Sequence, residues 1–289
     1  DQPGAWASNL LFKACFGDEP LGWPVAGTIE TVEALKRDDF VEHIRTWYVP
    51  QNMVLSVAGN TTHADVLDQS RKLFDGIEPA DAPEVAITRN GIPAENIVVE
   101  ARDIAQSNLG IALRALSRTD PDRYALMILN AVLGRGMSSR LFKEVRERRG
   151  LAYSVGSSGQ RYNDTGVMTI SAGVSAENVA ETVRVIKAEL MKLIDEPVGD
   201  EELTKARDYS IGSFRLGLES TMALGQRAGE QLLMTGEIEP IEETVAKLQA
   251  VDAADVQRVA RRFFRDDNYS MSLVGPGASA DELRQALAA

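Results

Sequence analysis

The sequence is short of the residue types on which compact sites are most often built. Cys15 is the one cysteine in 289 residues, so no disulfide can form within the chain. That usage fits a reducing compartment, and we expect a cytoplasmic protein. The two histidines, His43 and His63, fall on different expected helices and belong to neither an H-E-x-x-H nor an H-x-x-E-H arrangement. Those motifs set two zinc ligands one helical turn apart, so no residue here is assigned as a metal ligand and both read as partly exposed helix histidines. No apolar run approaches membrane-spanning length, and we expect no membrane partner. Positive charge is also scarce, with 31 Lys and Arg against 43 Asp and Glu and a formal net charge of −12. A general nucleic-acid binder needs a basic surface for phosphate, so no nucleic-acid partner is expected either. There is no G-x-S-x-G elbow, and Gly134-Arg-Gly136 lacks the Lys-Ser/Thr ending of a phosphate loop. Acid pairs such as Glu201-Glu202 read as charges at a helix N-terminus.

What is present is a well-marked stretch from Gly134 to Tyr153. A glycine-opened turn through Gly136 and Ser138 leads into an amphipathic helix, with Leu141, Phe142 and Val145 at helical spacing. Gly150 stands just past the helix end, where a left-handed backbone suits glycine. Leu151 to Ser158 then reads as a strand. Arg140, Lys143, Arg146, Arg148 and Arg149 make a local basic patch on this helix. Arg146 falls in its last turns and Tyr153 near the start of the strand, so two polar-tipped side chains seven residues apart can converge. On residue chemistry alone, Arg146 is a solvated charge and Tyr153 a core or edge-strand aromatic.

The remaining pattern is that of an α+β protein, with runs of helix set between hairpin-like strands. Strands are expected at 52–58, 96–100, 107–114, 166–174 and 268–274. Thr62 caps a helix from about residue 64, Pro121 sits in the first turn of another, and Ser175 caps a long one. Residues 75–95 are rich in Pro, Gly and Asp and read as a linker, which puts a domain boundary near residue 85. Two blocks recur in order: Thr31-Val-Glu-Ala-Leu35 as Thr244-Val-Ala-Lys-Leu248, and Asn52-Met-Val-Leu-Ser-Val-Ala-Gly59 as Asn268-Tyr-Ser-Met-Ser-Leu-Val-Gly275. They indicate two related α/β halves, with the first (residues 1–85) incomplete and the second (residues 86–289) whole. Measured against the second half, on the order of 120 residues of the first are expected upstream.

Several of these residues carry a family likeness. Pro20-Leu-Gly-Trp-Pro-Val-Ala-Gly-Thr28, Tyr48-Val-Pro-Gln-Asn-Met-Val-Leu-Ser-Val-Ala-Gly59, Gly134 to Phe142, and Arg146 through Gly150-Leu-Ala-Tyr153-Ser-Val follow one another as in the pitrilysin/insulinase family of zinc peptidases. The chain most resembles the branch of mitochondrial processing peptidase and its bacterial relatives. The resemblance implies duplicated α+β halves joined by a linker. It also implies a zinc-dependent metalloendopeptidase whose zinc-binding H-x-x-E-H and downstream glutamate lie before Asp1. The chain by itself would then be an inactive portion, with the missing N-terminal segment or a homologous chain as partner and a peptide as substrate. Arg146 and Tyr153 match the family's Arg and Tyr that reach the peptide near the scissile bond. Gly134, Gly136 and Ser138 match its turn before the helix, and the resemblance extends a substrate-binding role to them. The alternative is a non-catalytic partner or assembly subunit of the same fold.

Overall fold

The computed structural model describes residues 2–89 and 91–288. In chain order the helices are α1 (Pro3–Phe16), α2 (Ile29–Ala34), α3 (Arg37–Trp47), α4 (His63–Phe74), α5 (Arg123–Gly134), α6 (Val179–Asp195), α7 (Asp200–Leu216), α8 (Thr221–Thr235), α9 (Ile241–Ala250), α10 (Ala253–Phe263) and α11 (Ala280–Ala288). The strands are β1 (Ile97–Glu100), β2 (Ser107–Ala115), β3 (Ala152–Arg161), β4 (Gly166–Val174) and β5 (Tyr269–Val274). This is the expected α+β class. The contacts divide it into one compact unit of Asp1–Val25, Ile87–Ser210 and Ala246–Ala289, and another of Ala26–Ala86 and Ile211–Val245.

The first unit is built on a five-stranded sheet in the order β1-β5-β2-β4-β3, parallel between β1 and β5 and antiparallel elsewhere. Strand register decides which side chains share a face, because successive residues alternate. Ile111, Ile170 and Met271 lie in one row, all buried, on the face where α5 packs. There the Ser157 hydroxyl donates to the Asn130 side-chain oxygen at 2.6 Å. The neighbouring row on the other face is Gly156, Ser171, Gly110 and Ser272, all small. Small residues let α1 settle close: Ser272 Oγ donates to the Ala7 carbonyl at 2.8 Å, and a Cβ on Gly110 would meet Leu11 at 3.0 Å. Leu11, Cys15 and Phe16 complete this layer with Ala112 and Val167. Beyond α1 the same face stays open over β4 and β3, where Ser154, Ser158 and Ser171 are exposed.

In the second unit, α8 lies against residues 54–58. Its Gly225 and Gly229 carry no side chain where a Cβ would come within 3.5 Å of Ala58 and 3.0 Å of Ser56. Segment 268–275 is thus backed by a helix from the start of the chain, and its repeat at 52–59 by a helix from near the end. The two copies differ in one respect that corrects the sequence reading. Residues 53–58 form no strand, because a strand exists only with a ladder partner and none of the described residues supplies one. Met53, Leu55 and Val57 are exposed as a result.

Smaller differences have local causes. Thr62 does cap α4, accepting from Asp65 N–H at 3.2 Å. Pro121 does not sit in the first turn of a helix: α5 begins at Arg123, because the Asp120 carboxylate takes the Asp122 N–H in a side-chain turn at 2.9 Å. Ser175 caps nothing; a 3₁₀ turn at Ala176–Asn178 precedes α6, and Asn178 donates its side-chain amide to Ser175 Oγ. Lys36 holds the capping position of α3, with Asp39 accepting the Lys36 N–H at 2.7 Å.

Candidate functional site

The helix foreseen after Ser138 exists but is wound more widely. Arg140 and Leu141 make an α-helical start, and Phe142–Arg148 continue as a π-helix. Leu141 and Val145 are fully buried and anchor its inner side, as their spacing requires. The wide winding carries through to the exit, where Leu151 N–H reaches back to the Val145 carbonyl at 2.9 Å. Gly150, at φ +62°, takes the left-handed turn that delivers the chain to β3. Single π-helical turns are enriched at functional sites, because they rotate the following side chains relative to an α-helix.

A second irregularity follows at once. The β3–β4 ladder pairs Ala152 with Val174 and Ser154 with Gly173, so Tyr153 is the extra residue of a β-bulge. A bulge turns one side chain out of the alternation, and Tyr153 is 79% exposed. The π-turn and the bulge bring the two sequence candidates together. The Arg146 guanidinium lies 5.0 Å from the Phe142 ring centroid and 5.8 Å from that of Tyr153, within cation–π range of both. Together they line an open cavity of about 460 Å³, with Ala105, Gln106, Gly173 and Ser175 on its other walls. Gln106 escaped the sequence reading, because only the register of β2 against β4 shows where it falls.

The turn residues go elsewhere. Gly134 is the buried last residue of α5, and a Cβ there would overlap Ser157 of β3, so packing accounts for this glycine. Gly136, at φ +84°, makes the turn, and the Ser139 hydroxyl closes it by donating to the Gly136 carbonyl at 2.7 Å. Ser138 lines a different cavity of about 370 Å³, with Arg135, Lys143, Glu201, Glu202 and Tyr209. That cavity is braced by a two-point pair: Arg140 Nε and Nη2 donate to the two Glu202 oxygens at 2.9 and 2.7 Å. These hydrogen bonds raise the Arg140 pKa above its ordinary value. Glu201 instead bonds Lys205 at 2.6 Å, which lowers its carboxyl pKa. Neither acid is placed for acid–base work beside Arg146 and Tyr153.

Among the described residues no group of three or more His, Cys, Asp and Glu side chains could hold a metal ion. His43 packs beside Trp47 and Tyr48 on α3, and His63 opens α4, both exposed. The donors present therefore do not fit a zinc site. No helix among the described residues is long and apolar enough to cross a membrane.

The fold and cavity define an α+β protein whose assembled polar pair sits at the end of an edge strand. The chain belongs to the pitrilysin/insulinase family of peptidases, M16: the family model described as "Peptidase M16 inactive domain" matches residues 34–209. Among its relatives is an uncharacterized zinc protease of Streptomyces coelicolor, 36% identical over 282 residues that cover 96% of this chain and 61% of that protein. Another, from Bacillus subtilis, is 32% identical over 96% of this chain and 67% of its own length. The chain thus spans under two thirds of the first and about two thirds of the second. In fold it is similar to a protease from Helicobacter pylori (TM-score 0.83, 21% identity, 94% of this chain and 66% of that one). A peptidase M16 inactive domain from Pseudomonas fluorescens is similar too (TM-score 0.87, 21% identity, 96% and 66%). So is a chain of Complex III2 from Candida albicans (TM-score 0.86, 19% identity, 99% and 70%).

Proposed function

We propose that this chain is the C-terminal portion of a zinc metalloendopeptidase and supplies peptide-holding contacts opposite a zinc site that lies outside it. The observation that carries this reading is the convergence of Arg146 and Tyr153 on one open cavity through a π-turn and a bulge. A guanidinium and a phenol hydroxyl are hydrogen-bond donors suited to a peptide carbonyl oxygen, and they gain strength as negative charge develops there. In the same proposal Gly134, Gly136 and Ser138 act through the turn that starts the π-helix. The halves 1–85 and 86–289 are repeat-related, and the first is completed by upstream sequence.

The test uses the complete polypeptide, this chain together with its upstream residues, and an unstructured peptide. We expect zinc-dependent cleavage, with Arg146→Ala lowering kcat/KM by about 100-fold, the scale of losing one transition-state donor. Residues 1–289 alone, given zinc and the same peptide, are expected to release no product; clear hydrolysis would sink the reading. A second reading, a non-catalytic partner subunit, draws on the family description as an inactive domain. The upstream sequence separates them: H-x-x-E-H with a glutamate roughly 75 residues later supports the first, and its absence supports the second.

A further inference from the structure

The Arg146–Tyr153 cavity has another polar side chain in its wall. Gln106 immediately precedes β2 and lines the cavity beside Arg146, Tyr153 and Gly173. Gly173 is buried in β4, paired with Asn108 on one side and Ser154 on the other. Any Cβ at position 173 would overlap the Gln106 side-chain nitrogen and lie 3.0 Å from Ser154 Oγ. The glycine is therefore what leaves the Gln106 amide its place on the sheet. Gln106 itself is half-buried, and its side chain makes no hydrogen bond to any described residue.

Those facts describe a carboxamide that is positioned by packing and unspent in hydrogen bonding. Arg146 can only donate, and the Tyr153 hydroxyl is a single point. A glutamine amide offers two N–H donors and a carbonyl acceptor in one plane. That is the complement of a peptide unit, which presents one donor and one acceptor. Resting on the peptide-holding reading above, we infer that Gln106 is a third substrate-contacting residue, pairing its side-chain amide with one backbone peptide unit of an extended substrate. Because the contact is to backbone, it secures the position of the peptide without selecting its side chains.

The experiment measures peptide affinity on the complete polypeptide by fluorescence anisotropy. It uses two fluorescein-labelled unstructured peptides of unrelated sequence, and versions of each carrying a single backbone ester. Gln106→Ala is expected to raise Kd by about 5- to 10-fold on both peptides alike, the scale of one hydrogen-bonded pair. Gln106→Glu, which keeps the shape and loses the donors, is expected to weaken both as well. One ester position should weaken binding to the native protein severalfold and cost Gln106→Ala nothing further. Gly173→Ala, with Gln106 intact but crowded out, should reproduce the loss, and thermal melts of all three variants verify that they fold. Unchanged affinity in Gln106→Ala beside a weakened Arg146→Ala overturns this inference alone. No peptide binding by the native protein, or unchanged binding in Arg146→Ala and Tyr153→Phe together, overturns the underlying reading and this inference with it.

Discussion

Arg146 and Cys15 mark two extremes of what a single residue does here. Arg146 is exposed and its charge faces two rings, so Arg146→Ala should change stability by no more than about 0.5 kcal/mol. A melting temperature near that of the native protein, measured beside the lost activity, would separate a role in substrate holding from one in folding. Cys15 is fully buried on the sheet-facing side of α1, and burial pushes its thiol pKa up to about 11. Burial raises the pKa of Tyr269 as well, further above its ordinary value. The folded state therefore holds these protons more tightly than the unfolded chain does. Their stabilising effect is complete below the ordinary thiol pKa of 9.0, and Cys15's share is lost as pH rises from there through about 11. Chemical denaturation at pH 8, 9.5 and 11 should show stability falling, and Cys15→Ala should flatten part of that slope. The same burial predicts that Cys15 stays unmodified by iodoacetamide in the native protein and reacts only on unfolding. That Arg146 and Tyr153 converge was legible, because their spacing set them at a helix end and a strand start; the role proposed for them came from the family resemblance. Gln106 was not legible, since no local pattern reveals which neighbour lies across a ladder.

At the scale of elements, the strands that pair on both sides followed the sequence most closely. Residues 166–174 read as a strand and are β4 to the residue, because both edges are paired, to β2 and β3, and nearly every side chain is apolar or small. The segment after Ser138 shows the limit. Its apolar spacing marks which residues turn inward, but α and π windings bury Leu141 and Val145 alike, so the wider turn leaves no trace in the sequence. The bulge at Tyr153 is equally silent, since an added residue in β3 shows only against β4. The docking of α1 depends on the small row beneath it. Gly110→Ala would place a methyl 2.7 Å from Ser272 Oγ and 3.0 Å from Leu11, forcing the helix outward. We expect a loss of about 1–3 kcal/mol by urea denaturation, with the pairing of β2 to β4 unchanged in its amide spectrum.

For the whole molecule, neither compact unit is one continuous stretch of chain. The linker near residue 85 is plain in composition, yet α1 at the front belongs with the sheet formed by residues 97–274. Local pattern cannot reveal such a return, because it is decided by which surface a helix finally covers. A fragment of residues 86–289 would uncover Ala112, Val167 and the Gly110–Ser272 row by losing Leu11, Cys15 and Phe16. Each such apolar side chain contributes roughly 1.5–3 kcal/mol when fully buried. The fragment should bind a hydrophobic dye and melt well below the intact chain, and a synthetic peptide of residues 2–17 should reverse both effects. The unequal fate of the repeated segment also sets a clock. Backbone amides at 269–274 are locked between two neighbouring strands and should take up deuterium only through large-scale opening. Those at 53–58, which bear a similar sequence pattern, should label within seconds of transfer into heavy water.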